Sequence, residues 1–180
     1  MFVIDLLLGW VRNALATPVP PDEHGPIVEA AVRAAVTHEM SSTKLYEQLF
    51  EGSNQQNDSA LSQLVTQVAD DFEHLNAAVL RLVRVRPEHR LRRLHRSAVV
   101  MARGQLVTGD LKAQILFPKV EGVGVKLLPK YQLYRQAASQ AAATFFAELK
   151  NLQTDHAALY RSLGLSNAFS TGEWLGRFQR

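Results

Sequence analysis

Apolar residues recur through most of this chain at alternating spacings of four and three, the period of one face of an α-helix. Val28, Val32, Ala35, Glu39, Ser42, Tyr46 and Leu49 predict a long helix over residues 26–50. The polar run 51–58 ends it, and Asp58 or Ser59 is placed to cap the next helix. Leu61, Val65, Val68, Phe72, Leu75, Val79 and Leu82 then repeat the spacing without a polar interruption, until Pro87 breaks it. Leu91, Leu94, Ala98 and Met101 predict a third, shorter helix that Gly104 closes.

Residues 105–130 carry a weaker pattern. Thr108-Gly109-Asp110 reads as a turn, residues 110–117 as a short helix, and the valine- and glycine-containing run 120–125 as extended chain or loop. A long final helix follows over 129–163, with Tyr131, Tyr134, Ala138, Ala141, Phe145, Leu149, Leu152, His156, Leu159 and Leu163 in its seam, and Gly164 as its stop. In the tail, Ser170 and Glu173 have capping-box spacing ahead of Trp174 and Leu175, which predicts a short last helix. No convincing strand alternation competes. The expected fold is all-α: a helical bundle of three long helices and one shorter helix.

The first 26 residues stand apart from that bundle. Phe2–Ala16 is strongly apolar, and Asp5, Gly9, Arg12 and Asn13 form a narrow polar stripe on it, so an N-terminal amphipathic helix is expected. Residues 17–26 contain Pro18, Pro20, Pro21 and Pro26 and read as an extended, Pro-rich tether. The expected organisation is therefore helix 1–16, linker 17–26, bundle 27–164 and tail 165–180. The apolar segment lacks the basic flank of a secretory signal and is shorter than the roughly 20 residues a bilayer span needs. It suits docking on a protein partner or self-association, with a helix lying in the plane of a membrane and a signal peptide as the secondary alternatives; a membrane is not the expected partner.

Composition adds one decisive feature. The chain has 180 residues and no cysteine, which removes disulfides, thiolate metal sites and a Cys nucleophile. Residues 81–103 hold eight of its fourteen arginines with Glu88 as their only acid, a local charge of +7, whereas the remaining residues sum to −4. On a helix beginning near Pro87, Leu91, Leu94, Ala98 and Met101 share one side. His89, Arg92, Arg93, Arg96 and Arg103 fall on the other. The segment has no lysine. Guanidinium groups bind phosphate or carboxylate oxygens two at a time, so Arg84, Arg86, Arg90, Arg92, Arg93, Arg96 and Arg103 form the candidate anion-binding set. The expected partner is nucleic acid or an acidic protein surface. With no aromatic side chain in the segment, contact with the nucleic-acid backbone is expected rather than base reading. The competing reading is internal pairing with acids such as Glu47, Glu51, Asp70 and Glu73, plus relief of a helix dipole by Arg81, Arg84 and Arg86.

A second constellation concerns metal. Glu39 and His156 interrupt otherwise apolar seams, and Asp71 and His74 stand three residues apart on one helix. A carboxylate, an acid-x-x-His pair and an inward histidine resemble part of the ligand set of ferritin-like di-iron proteins. That resemblance implies iron or another divalent metal, and possible oxidoreductase chemistry, as the alternative function. The match stops at these positions, since the second pair would fall at Glu148 and Asn151. No Gly-x-Ser-x-Gly, His-Glu-x-x-His, Walker or dinucleotide sequence is present. The leading expectation is thus a non-catalytic, cytoplasmic binding or assembly module with no cofactor.

Overall fold

The computed structural model describes residues 18–50, 58–118, 122–166 and 169. The predicted N-terminal helix and the capping-box helix of the tail lie outside those residues. Within them the chain is helical: α1 (Pro21–Phe50), α2 (Asp58–Val83), α3 (Arg92–Leu116), α4 (Val123–Asp155) and the short α5 (Ala157–Ser162). A 3-10 turn, His89–Leu91, leads into α3. Four of these helices are long, so the expected bundle is present with one more long helix than the sequence pattern suggests.

The helix boundaries show why. Helix α1 starts at Pro21 rather than Pro26, because a proline at the first helical position forfeits no hydrogen bond. Asp22 and Glu23 then place negative charge at the positive end of the helix dipole. Gly104 does not close α3, and Thr108-Gly109-Asp110 is helical rather than a turn. Both glycines are places of close approach. A Cβ on Gly104 would stand 2.7 Å from the Ala138 Cβ of α4, and one on Gly109 would stand 2.5 Å from Cε1 of His38 in α1. Helix α4 begins earlier than expected, at Val123 after Gly122 (φ 77°), and breaks at His156 instead of continuing to residue 163.

The helices run alternately up and down, so both ends of the described chain meet at one end of the bundle. In that half of the bundle Leu75, Leu82, Leu91, Met101, Phe145 and Leu163 are fully buried. Phe169 packs edge-on against Phe145 with centroids 6.0 Å apart, which ties the C-terminal segment into that core. Toward the other end the packing opens. The first turns of α2 leave Val65 exposed, and α4 exposes Val125 and Leu133.

Two connections fix the near end. The Val19 amide donates to the Arg86 carbonyl at 2.9 Å, so the segment before α1 lies beside the α2–α3 junction. Glu29 in α1 accepts from the Ser166 amide (2.9 Å) and hydroxyl (2.6 Å) and pairs with Arg33 at 2.6 Å. Partial burial would raise the Glu29 carboxyl, but the Ser166 hydrogen bonds and Arg33 together outweigh it and hold it below the usual carboxylate value.

Candidate functional site

The arginine element occupies the same end. Helix α3 buries Leu94, Ala98, Met101 and Ala102, with Leu91 just ahead of it, and this turns Arg92, Arg93, Arg96 and Arg103 outward. Arg81 and Arg84 at the end of α2, and Arg90 in the 3-10 turn, are exposed as well, while Arg86 is half-buried. The ridge read from the sequence therefore runs exposed along the first half of α3, with further exposed arginines at the end of α2 and in the 3-10 turn.

Among the described residues, no ion pair reaches Arg81, Arg84, Arg90, Arg92, Arg96 or Arg103, and neither Glu47, Asp70 nor Glu73 pairs with any of them. Arg93 approaches Glu148 at 3.7 Å while remaining 86% exposed, a geometry that contributes little in water. Among the described residues, internal pairing does not account for Arg81, Arg84, Arg90, Arg92, Arg96 or Arg103.

Local electrostatics sharpen the point. The first turn of α3 has no acid and no side-chain cap, and it carries Arg92 and Arg93. Cations at a helix N-terminus face the positive end of the macrodipole, an unfavourable placement of about 0.3–1 kcal/mol each. Stability alone would select Asp or Glu there. Arg81, by contrast, sits in the last turn of α2, where a cation is favourable.

Beneath the ridge lies an interaction that sequence spacing did not reveal. His24 of α1, fully buried, and His95 of α3, part-buried, bring Nε2 and Nδ1 to 3.0 Å. His24 Nδ1 has no hydrogen-bond partner among the described residues. A buried orphan N–H is costlier than a buried orphan lone pair, so the proton belongs on His24 Nε2, which donates to His95 Nδ1. Burial pushes His24 down to about 4, helped by the nearby His95, and burial pushes His95 down to about 4. Only the tertiary pairing exposes this role: residues 71 positions apart give no linear signal.

The metal constellation is not assembled. No group of three or more His, Asp or Glu side chains among the described residues could hold a metal. His156 is exposed at the α4–α5 break rather than inward, because the helix ends at Asp155. His74 is also exposed, and its Nδ1–H donates to the Asp70 carbonyl at 2.7 Å. Asp71 points inward and accepts from Gln67 at 2.9 Å, but Glu39, one position beyond the buried side of α1, is only half-buried. The inward histidine is His38, whose ring lies 5.5 Å from that of Phe72, in space kept open by Gly109. A spacing of three and four could not decide between positions 38 and 39. The glycine on a neighbouring helix did.

Around His38 the interior is polar: Ser41, Ser42, Asp71, Gln105 and Thr108 are all buried. Lys112 Nζ donates to Ser42 Oγ at 2.7 Å. Burial and Arg135 lower the lysine against the opposing pull of Glu39 and Glu47, burial being the largest influence. A serine beside a lysine of lowered pKa is one form of nucleophilic pair. Acyl transfer also needs free donors for the oxyanion, and Ser42 lies inside α1, where the backbone N–H groups serve the helix itself. This contact fastens α1 to α3. The open trough of about 610 Å³ between α1 and α2, lined by Lys44, Glu47, Gln48, Gln63, Leu64 and Gln67, brings no such pair together.

Compared with known proteins, the chain matches no family model, no curated protein and no solved structure.

Proposed function

We propose that this protein is a non-catalytic binding or assembly module whose arginine end face engages a polyanion, a nucleic-acid backbone or another surface dense in phosphate or carboxylate oxygens. One observation carries the reading. Arg84, Arg90, Arg92, Arg96 and Arg103 are each exposed without an internal ion pair among the described residues, and Arg92 and Arg93 stand at the unfavourable end of a helix. Such an arrangement is explained by a partner that supplies the missing negative charge. Guanidinium chemistry favours oxyanions bound two oxygens at a time. Residues 81–103 contain no Phe, Tyr or Trp for stacking, so contact follows the backbone and is indifferent to sequence.

A salt titration tests this directly. With about six arginines engaged on a single-stranded oligonucleotide, log K should fall against log salt with a slope near −4, roughly 0.7 per contact. The Arg92→Glu/Arg93→Glu/Arg96→Glu variant should lose binding while melting as a folded protein. Binding that is insensitive to salt, or a triple variant that binds as well as the parent, sinks the proposal.

A further inference from the structure

We infer that the polyanion met by the arginines of α3 is an acidic amphipathic helix of a partner protein, seated in the open seam between α3 and α4. The inference rests on the polyanion reading and names its partner. The seam is fixed at three points. Arg93 lies beside Glu148 at 3.7 Å, and Cβ atoms added to Gly104 and Gly124 would stand 2.7 Å from the Ala138 Cβ and 3.0 Å from the Ile115 carbonyl oxygen. Helices α3 and α4 therefore run antiparallel in contact over about 20 residues of each, a line roughly 30 Å long.

The Arg93–Glu148 pair also identifies the solvent side of that line, because Arg93 is 86% exposed. Counting about 100° per residue, Arg96, Val100 and Arg103 lie within roughly 80° of Arg93 around α3. On α4, Lys126, Lys130, Leu133, Tyr134 and Ala137 lie within roughly 60° of Glu148 by the same count. All of these side chains are exposed. The antiparallel register orders them along the seam. Arg93 and Arg96 stand at one end, Val100, Tyr134 and Leu133 in the middle, and Lys130 and Lys126 at the other end. Val100, Leu133 and Tyr134 are 45%, 66% and 37% exposed, an apolar strip with no neighbour above it among the described residues. The nearest acids are already engaged, Glu148 by Arg93 and Asp110 by Gln114 at 2.9 Å, and residues 122–147 contain no Asp or Glu.

That composition selects the partner. An apolar centre within a charged rim is the make-up of a protein interface, with Tyr and Arg among its favoured residues. Two antiparallel helices leave a groove in which a third packs at about 8–10 Å, inserting apolar side chains spaced three and four apart. Carboxylates on either side of that stripe would meet Arg96 and Arg103 on the α3 rim and Lys126 and Lys130 on the α4 rim. The arginines can bind them two oxygens at a time. A nucleic acid would use the cations but leave Val100 and Leu133, which have no π face to stack on a base, without a role.

The full-length protein is titrated, by fluorescence anisotropy, against three labelled probes. One is a designed helical peptide of about 20 residues, leucine at spacings of three and four and glutamate elsewhere. The others are poly-glutamate of the same length and a single-stranded oligonucleotide. The amphipathic peptide should bind, more weakly as salt rises, and poly-glutamate should bind at least roughly 10-fold less tightly. Leu133→Ser/Tyr134→Ser should weaken the peptide by roughly 10- to 100-fold. Arg96→Gln/Arg103→Gln should weaken it by about 2- to 30-fold. Both variants change exposed side chains and should melt close to the parent. Poly-glutamate that binds as tightly as the peptide, or peptide binding untouched by Leu133→Ser/Tyr134→Ser, overturns the helix in the seam and leaves the polyanion reading standing. Oligonucleotide binding that needs the arginines, with no peptide binding, makes nucleic acid the partner instead. Binding to none of the three removes both readings. A parent that light scattering shows to be a dimer, and Leu133→Ser/Tyr134→Ser a monomer, makes a second copy the occupant and likewise overturns the inference.

Discussion

Acidification should destabilise this protein through the His24–His95 contact, and the size of the effect follows from the geometry. Both rings titrate near 6.5 in an unfolded chain and near 4 in the bundle. Between those values the unfolded state binds more protons, so stability falls as pH falls from about 6.5 toward 4 and is fully present above that window. At pH 5 the difference is about 2 kcal/mol for each ring, treated independently. His38 acts in the same direction, its pKa lowered by burial first and Lys112 second, against Asp71. For a chain of this length, a loss of about 4 kcal/mol lowers Tm by roughly 8–16 °C. Thermal melts followed by circular dichroism at pH 7 and pH 5 measure it. His95→Gln keeps a hydrogen-bonding group and removes one titration, so its Tm should drop by about half as much between the two pH values. A parent Tm that is the same at both, or a variant with an undiminished pH response, would refute the assignment of this contact as a neutral, buried pair. Protons on Nε2 of both rings, seen by nitrogen NMR, would confirm the tautomers.

Other substitutions test the packing and the charge placement. Arg92→Glu should stabilise the protein by roughly 0.5–1 kcal/mol, a rise in Tm of about 1–4 °C, because it replaces a cation with an anion at the start of α3; a fall in Tm would show that Arg92 has a structural role. Gly109→Leu should destabilise by about 1–3 kcal/mol or more through overlap with His38 and Phe72, read from a urea midpoint. Gly25→Ala places a Cβ into the Leu163 carbonyl and should loosen the segment that carries Ser166 and Phe169, which faster proteolysis of that segment would report.

The arginine face shows how far linear information reaches. Alternation of apolar positions in α3 is enough to turn Arg92, Arg93, Arg96 and Arg103 outward, since burying Leu91, Leu94, Ala98 and Met101 leaves them no other side. The metal constellation shows where it stops. Glu39, Asp71, His74 and His156 each fit a seam on their own helix. The break at Asp155 and the exposure of His74 nevertheless keep two of them at the surface.

Fold class, the number of breaks near Pro87 and Gly164, and the outward cationic side of α3 were thus determined by the chain itself, because each depends on the period of a single helix or on local backbone chemistry. Tertiary structure decided the rest. It made Gly104 and Gly109 helical by packing Ala138 and His38 against them, chose His38 over Glu39 for the interior, paired His24 with His95, and brought Val19 beside Arg86 and Ser166 beside Glu29. The physical reason is common to all four: whether a glycine, a histidine or a chain end has a neighbour depends on which helices lie beside it, and spacing along one helix contains no record of that.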